Sequence, residues 1–315
     1  MRIIITGATG LVGKACTEVS LNRGWRVTAI IRSRSQDKLG SLASRSGLEI
    51  IHTSSLDYDH LDLGPHDAML HTAWDGITAQ ARLDARRQVG NITATVNAIH
   101  LAARSGCAVF VDAGSQAECG NLTERLTGRT PAAPTVPYGI AKVAAAELAR
   151  FECARLGLRF VHTRILSVFG PGMPANSLIA SLIRDLQAGL TPRLTRCEQI
   201  WDFIDFRDAA DAILAIVERG VDGATYPVGS GNAQPLRRYV EILRDVVSPG
   251  AVLDFGAVDY RQNEPMYLAA DLSELTADTG FEPAHSFAEG IRHMLDHAVR
   301  PRQVDEPHSS WITRG

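Results

Sequence analysis

Residues 2–13 read RIIITGATGLVG. Ile3, Ile4 and Ile5 form a short β-branched run of the kind a buried parallel strand uses. Glycines at 7, 10 and 13 follow at once, and from Leu11 to Asn22 the apolar residues take up helical spacing before Gly24. A glycine pattern alone is weak. Between a strand and a helix it becomes specific, because bare backbone can approach a pyrophosphate. The helix N-terminus adds free N–H groups and a partial positive charge. Gly7, Thr9, Gly10, Leu11, Val12 and Gly13 are therefore candidate contacts to a dinucleotide.

The same alternation continues down the chain. Strands are expected at Arg26–Ile31, Leu48–His52, Asp67–His71, Cys107–Val111 and Leu158–Thr163. Helices are expected at Ser35–Ser46, Thr78–Arg104 and Pro137–Arg155, the last stopped by Gly157. This order predicts βαβ units and an α/β fold, a Rossmann-type doubly wound parallel sheet covered on both faces. After Gly170 the pattern shortens. A Gly170–Pro174 loop precedes helices at Asn176–Ala188, Ala209–Glu218 and Leu236–Val247, a strand at Thr225–Val228, a short element at Ala251–Phe255 and a last helix near Phe287–Val299. Residues 1–170 are read as the dinucleotide-binding domain, with some later segments returning to it. Residues 171–300 are read mainly as a smaller substrate-binding lobe, and 301–315 as a polar tail.

Composition excludes several classes. The 315 residues are 45% hydrophobic, enough for a large core, and the net charge of −3 shows no long run of one sign. No basic stripe suggests nucleic acid. No apolar run reaches the ~18–20 residues that span a bilayer, and Arg2 leads straight into a strand, unlike a secretory signal. The five cysteines are widely spaced without C-x-x-C, which predicts reduced thiols in the cytoplasm. His293 and His297 are four apart, but no third ligand accompanies them, so no metal is expected.

The end of the second strand reads Ile30-Ile31-Arg32-Ser33-Arg34. A site for NAD usually places a carboxylate there for the ribose 2′-hydroxyl. Two arginines instead suit the 2′-phosphate of NADP through forked, charge-assisted hydrogen bonds. Arg32, Ser33 and Arg34 are the candidate contacts, and NADP(H) is expected over NAD(H).

Tyr138 and Lys142 stand four apart at the start of a long helix, on one face. A phenol is a poor acid or base near neutrality, and a neighbouring ammonium favours its ionised form. Such a pair can exchange a proton with a carbinol or carbonyl oxygen. Ser115 follows the fifth strand, at the carboxyl edge where ligands bind in these sheets, and its hydroxyl can hold the same oxygen. Gly114-Ser115-Gln116 is not the G-x-S-x-G turn of a hydrolase.

TGATGLVG, His71-Thr72-Ala73, Ser115, Tyr138-Gly-Ile-Ala-Lys142 and Arg164…Phe169-Gly-Pro-Gly172 together resemble the extended short-chain dehydrogenase/reductase family of nucleotide-sugar epimerases, dehydratases and ketoreductases. The likeness spans about residues 1–300, through Trp201-Asp-Phe-Ile-Asp-Phe-Arg-Asp208 and Gly280-Phe-Glu-Pro283. The resemblance implies that the glycine turn holds the pyrophosphate, that Ala73 lies along the nicotinamide half, and that Lys142, with Tyr138, also meets the nicotinamide ribose. It places Leu56 near the adenine, although the acidic residue often found just before it is Ser55 here. It also implies a homodimer built on the two long helices.

Within that family, 4,6-dehydratases carry an Asp-Glu pair directly after the serine. Gln116 and Ala117 stand there and cannot act as that acid and base. The Gly114–Gly120 segment looks more like the CDP-abequose synthase-like branch of 4-keto-6-deoxysugar reductases, except that Cys119 replaces an aromatic residue. Cys119 is thus a candidate second acid/base or a packing residue, and Glu118 a general base or a helix-end charge. The expected reaction is NADPH-dependent reduction of the C4 ketone of a nucleotide-linked 4-keto-6-deoxy sugar, with Tyr138 as proton donor. An epimerase, or a non-standard dehydratase using Cys119 or Glu118, is the alternative. A non-catalytic NADP-binding sensor would usually lack the tyrosine or the lysine. Trp74, Ser167, Asn176 and Arg261 are candidate substrate contacts. Arg261 is the favoured phosphate ligand, because Trp201 replaces an arginine common in relatives.

Overall fold

The computed structural model describes residues 1–53, 57–261 and 264–297, without the side chains of Ser33, Arg34 and Gln36. The opening run forms β1 (Arg2–Thr6), followed by α1 (Leu11–Asn22) and β2 (Arg26–Arg32). Next come β3 (Leu48–Thr53), β4 (Ala68–His71), α2 (Ala85–Arg104), β5 (Val109–Ser115), α3 (Pro137–Leu156) and β6 (Arg159–Ile165). β7 (Ser167–Phe169), α4 (Leu178–Gln187), β8 (Arg193–Leu194), β9 (Ile200–Trp201) and β10 (Phe203–Asp205) lead into α5 (Phe206–Arg219) and β11 (Thr225–Val228). The described chain closes with β12 (Gln234–Pro235), α6 (Leu236–Val247), β13 (Asp254–Phe255), α7 (Ser273–Thr279) and α8 (Phe287–His297).

Seven strands form one parallel sheet in the order β11-β6-β5-β4-β1-β2-β3. The strand order reverses between β1 and β4, and the crevice at their carboxyl ends is where ligands bind in such sheets. One face is covered by α1 and α5, whose Ala15, Ile213 and Val217 meet Ile3, Ile5 and Val111. The other is covered by α2 and α3 over Ile4, Met69, Phe110 and Phe160. Ala141, Ala145, Ala149 and Cys153 recur every four residues on α3 and are buried, so that helix lies close against the sheet. Both α5 and β11 come from beyond residue 170. A separate apolar core gathers α4, α6 and α8 around Phe169, Leu194 and Leu236.

Local chemistry moves three expected boundaries. Residues 33–44 form tight 3₁₀ turns rather than an α-helix, broken at Gly40, whose φ is +57°. The long helix expected from Thr78 begins only at Ala85, where the Asp84 carboxylate accepts from Arg87 N at 3.1 Å. β5 runs on to Ser115 because its residues keep pairing with β6 up to Ile165. The expected tail and the end of the last helix lie outside the described residues. All five cysteines are buried and free, and among the described residues no helix is long and apolar enough to cross a membrane.

Candidate active site

The glycine turn is tight because three neighbours leave no room for side chains. Gly7 has φ +69°, and a Cβ there would stand 2.6 Å from Ala73 N. A Cβ on Gly13 would stand 2.4 Å from Gly7 O and 2.6 Å from Thr72 Oγ1. Thr72 is fixed by donating its hydroxyl to Thr6 O at 2.6 Å. Gly10 caps α1 without a side-chain partner, which leaves the helix N-terminus open. In front of it lies a cavity of about 500 Å³, lined by Gly7, Thr9–Gly13, Ile31, Arg32, Lys38, Tyr58, Ala73 and Trp74. Bare turn, open helix end and adjoining cavity fit the pyrophosphate and adenosine of a dinucleotide. Leu56 and the side chains of Ser33 and Arg34 lie outside the described residues.

Arg32 ends β2 at the cavity, but its guanidinium already has a partner. Asp75, on the loop after β4, receives Arg32 Nη1 at 3.3 Å and Arg87 Nε at 2.5 Å. The Arg87 hydrogen bond, more than Arg32, holds the Asp75 carboxyl below its usual range. Sequence reading sought a carboxylate at the end of β2 and so missed Asp75, which arrives from another strand. Lys38 was missed because it sits in the 3₁₀ segment, where helical spacing misleads.

Lys142 reaches the carboxyl end of β5, which carries Ser115, and shares the Trp74 ring with Tyr138. Pro137 opens α3, Tyr138 follows it, and Lys142 lies one turn on. Lys142 Nζ donates to Ala113 O at 2.5 Å, two residues before Ser115. A Cβ on Gly139 would stand 2.3 Å from Ala117 O, so the start of α3 abuts the turn that carries Ser115. Ala117 N donates to Ser115 Oγ at 3.2 Å, which leaves the serine hydroxyl hydrogen free for another acceptor. Trp74 closes the assembly. Its indole meets the Tyr138 ring edge-on at 5.9 Å and lies 3.6 Å from Lys142 Nζ, while Nε1 donates to Gln88 Oε1 at 2.8 Å. Arg82 covers the Tyr138 ring at 4.6 Å.

This arrangement can be set beside known proteins. The model of the NAD dependent epimerase/dehydratase family matches residues 3–229. The chain belongs to that family. It is 25% identical to CDP-abequose synthase of Salmonella typhimurium over 93% of this chain and 97% of that one. It is 25% identical to GDP-6-deoxy-D-mannose reductase of Pseudomonas aeruginosa, over 93% and 96%. A UDP-N-acetylglucosamine 4-epimerase from Methanobrevibacter ruminantium shares the fold with a TM-score of 0.83 at 23% identity, over 94% of this chain and 97% of the other. As a member of this epimerase/dehydratase family the chain is an NAD(P)-dependent oxidoreductase of the extended short-chain dehydrogenase type.

The remaining sequence candidates scatter. Glu118 is 1% exposed and closes a capping box in which Ser115 N donates to its Oε1 at 2.7 Å. Cys119 is 3% exposed in an apolar cluster with Leu126, Leu166 and Leu268, and burial pushes its thiol up. Ser167 Oγ accepts from Trp201 Nε1 at 2.9 Å, joining β7 to β9. Asn176 and Arg261 are exposed, and among the described residues neither touches Ser115, Tyr138 or Lys142. His293 and His297 stack at 4.0 Å on α8, and among the described residues no three metal-ligating side chains gather.

Proposed function

We propose that the chain reduces the C4 ketone of a nucleotide-linked 4-keto-6-deoxy sugar with NADPH. The observation that carries this reading is the state of the residues after Ser115. Gln116 and Ala117 cannot ionise. Both oxygens of Glu118 are engaged by Ser115 N, His162 and Arg164. Cys119 is held as a buried thiol. No free acid–base pair remains for eliminating water across two carbons, so Ser115, Tyr138 and Lys142 are left to handle one carbonyl. A bound nicotinamide cofactor supplies the hydride. The Ser115 hydroxyl donates to the ketone oxygen and orients it. Tyr138 O–H gives its proton to the developing alkoxide and regains one from solvent. Lys142, tied to Ala113 O, holds its charge beside that transfer.

Arg32 and Lys38 supply cationic groups at the adenosine end for a 2′-phosphate, with Arg34 beside them in sequence. Residues 1–170, with α5 and β11, would serve the cofactor, and the α4–α6–α8 core would carry the sugar nucleotide. Val89 on α2, and Ile140 and Phe151 on α3, are 59%, 55% and 65% exposed, which favours a second copy packing against these helices. The reading is tested by supplying CDP- or GDP-linked 4-keto-6-deoxy sugars and following absorbance of NADPH. One NADPH consumed per alcohol formed supports it. A second reading, an epimerase that retains NAD, is favoured by the Asp75 carboxylate at the cavity. Turnover of a nucleotide sugar without added cofactor would establish that one instead.

A further inference from the structure

Behind Ser115 lies a row of buried charges that proton transfer at Tyr138 does not use. His71, Asp112 and His162 occupy neighbouring register positions on β4, β5 and β6. Asp112 is fully buried and His162 is 2% exposed. Asp112 Oδ2 lies 3.0 Å from His162 Nδ1, a close ion pair whose angle falls off the line of a hydrogen bond. On its other side His162 Nε2 donates to Glu118 Oε2 at 2.9 Å, and Arg164 Nε donates to the same oxygen at 3.3 Å. Glu118 then reaches the site directly, through its second oxygen on Ser115 N.

Glycine 114 makes this possible. A Cβ there would stand 2.4 Å from both Cε1 and Nε2 of His162, so only a bare backbone lets the ring lie against the strand one residue before Ser115. The Phe160 ring flanks the imidazole at 6.3 Å. A buried ionic row is costly, and apolar residues of similar volume often stabilise a fold as well or better. A row kept at this cost, and ending on the amide of one site residue, has a use in placing that residue.

We propose that Asp112, His162 and Glu118 are positioning residues that fix the Ser115 main chain, and with it the serine hydroxyl, through a continuous line of paired charges. The inference rests on the reading above in one respect, that Ser115 is the group that orients the substrate oxygen. The groups facing His162 are Asp112 from β5 and Glu118 from the turn after it, and Arg164 on its own strand faces Glu118. Lys142 from α3 and His71 from β4 face Asp112. Burial alone would lower the His162 pKa, but Glu118 and Asp112 outweigh it and hold it at about 9. Burial holds His71 down at about 4, so it stays neutral. Because the folded value of His162 lies above its ordinary 6.5, its charge supports the fold fully below 6.5 and that support is lost as pH rises through about 9.

The test compares His162→Gln and Glu118→Gln, each alone and in a Ser115→Ala background. Hydrogen exchange of the segment containing the Ser115 amide is followed first, since it needs no substrate. Both single variants are expected to exchange that amide at least tenfold faster while retaining NADPH affinity within about twofold. In ketone reduction each should lower kcat tenfold or more. Neither should lower it further than about twofold once Ser115 is alanine. Wild-type thermal stability should fall between about pH 6.5 and 9, and this fall should be smaller in His162→Gln. Unchanged amide exchange in both variants overturns the proposal, as does an equal loss of kcat with and without Ser115. If His162→Gln does not fold, Glu118→Gln decides, because it keeps the side-chain volume while its single amide oxygen cannot accept from both Ser115 N and His162 Nε2. Should the wild type reduce no ketone while exchange responds as expected, the reductase reading fails and the positioning role stands.

Discussion

The Lys142 ammonium lies 3.6 Å from the centroid of the Trp74 indole, and the same indole lines the cavity in front of the glycine turn. Trp74 therefore stands between that cavity and the Lys142–Tyr138 pair. A cofactor ribose that reaches Lys142 must displace the ring, giving up a cation–π contact of about 0.5–2 kcal/mol. Trp74→Ala removes the competitor. NADPH is expected to bind about two- to thirtyfold more tightly, measured by fluorescence titration. Weaker binding would show that the indole holds the cofactor rather than gating it.

Tyr138→Phe keeps the ring between Trp74 and Arg82 and removes only the proton. Turnover should fall about 10²- to 10⁴-fold, the usual contribution of a positioned acid. Cofactor affinity should stay within about twofold. A variant that kept a third of its activity would mean that another group protonates the product.

How much of this was legible in the sequence depended on whether a residue's partner lay on its own segment. The glycine turn, and the Tyr138–Lys142 spacing on α3, are local patterns. Each was readable because backbone geometry alone fixes what five or seven consecutive positions do. The sheet followed from apolar runs alternating with helical spacing. Asp75, by contrast, meets Arg32 only because β4 and β2 converge on one crevice. His162 meets Glu118 only because Gly114 on β5 lets β6 place a ring there. Lys38 was hidden for another reason: a 3₁₀ segment does not obey the 3.6-residue period behind the helix expected at Ser35–Ser46.

Arg32 and Asp75 make the cofactor preference testable in both directions. Their ion pair is partly exposed and worth about 0–1 kcal/mol, so a 2′-phosphate with two charges can displace the carboxylate. Arg32→Glu should weaken NADPH at least tenfold more than NADH. Asp75→Asn should do the reverse and tighten NADPH, by about two- to fivefold, with NADH unchanged. Parallel loss of both cofactors in Arg32→Glu would remove the basis for NADP.

Gly10 and Gly13 should separate folding from binding. A Cβ on Gly13 would press on the Gly7 carbonyl at 2.4 Å and on the Thr72 hydroxyl at 2.6 Å, and neither can retreat while Thr72 is bound to β1. Gly13→Ala is therefore expected to cost about 1–3 kcal/mol, an overpacking penalty, and to lower Tm by several degrees. Gly10 has φ −79°, which any residue adopts, and a Cβ there would meet only Gly7 O at 3.4 Å. Gly10→Ala should leave Tm within about 2 °C. The added methyl instead faces the open N-terminus of α1, where a pyrophosphate must come against bare backbone. Calorimetry should show the fold intact and NADPH binding reduced at least tenfold. If Gly10→Ala binds NADPH as the wild type does, the pyrophosphate does not lie on this helix end.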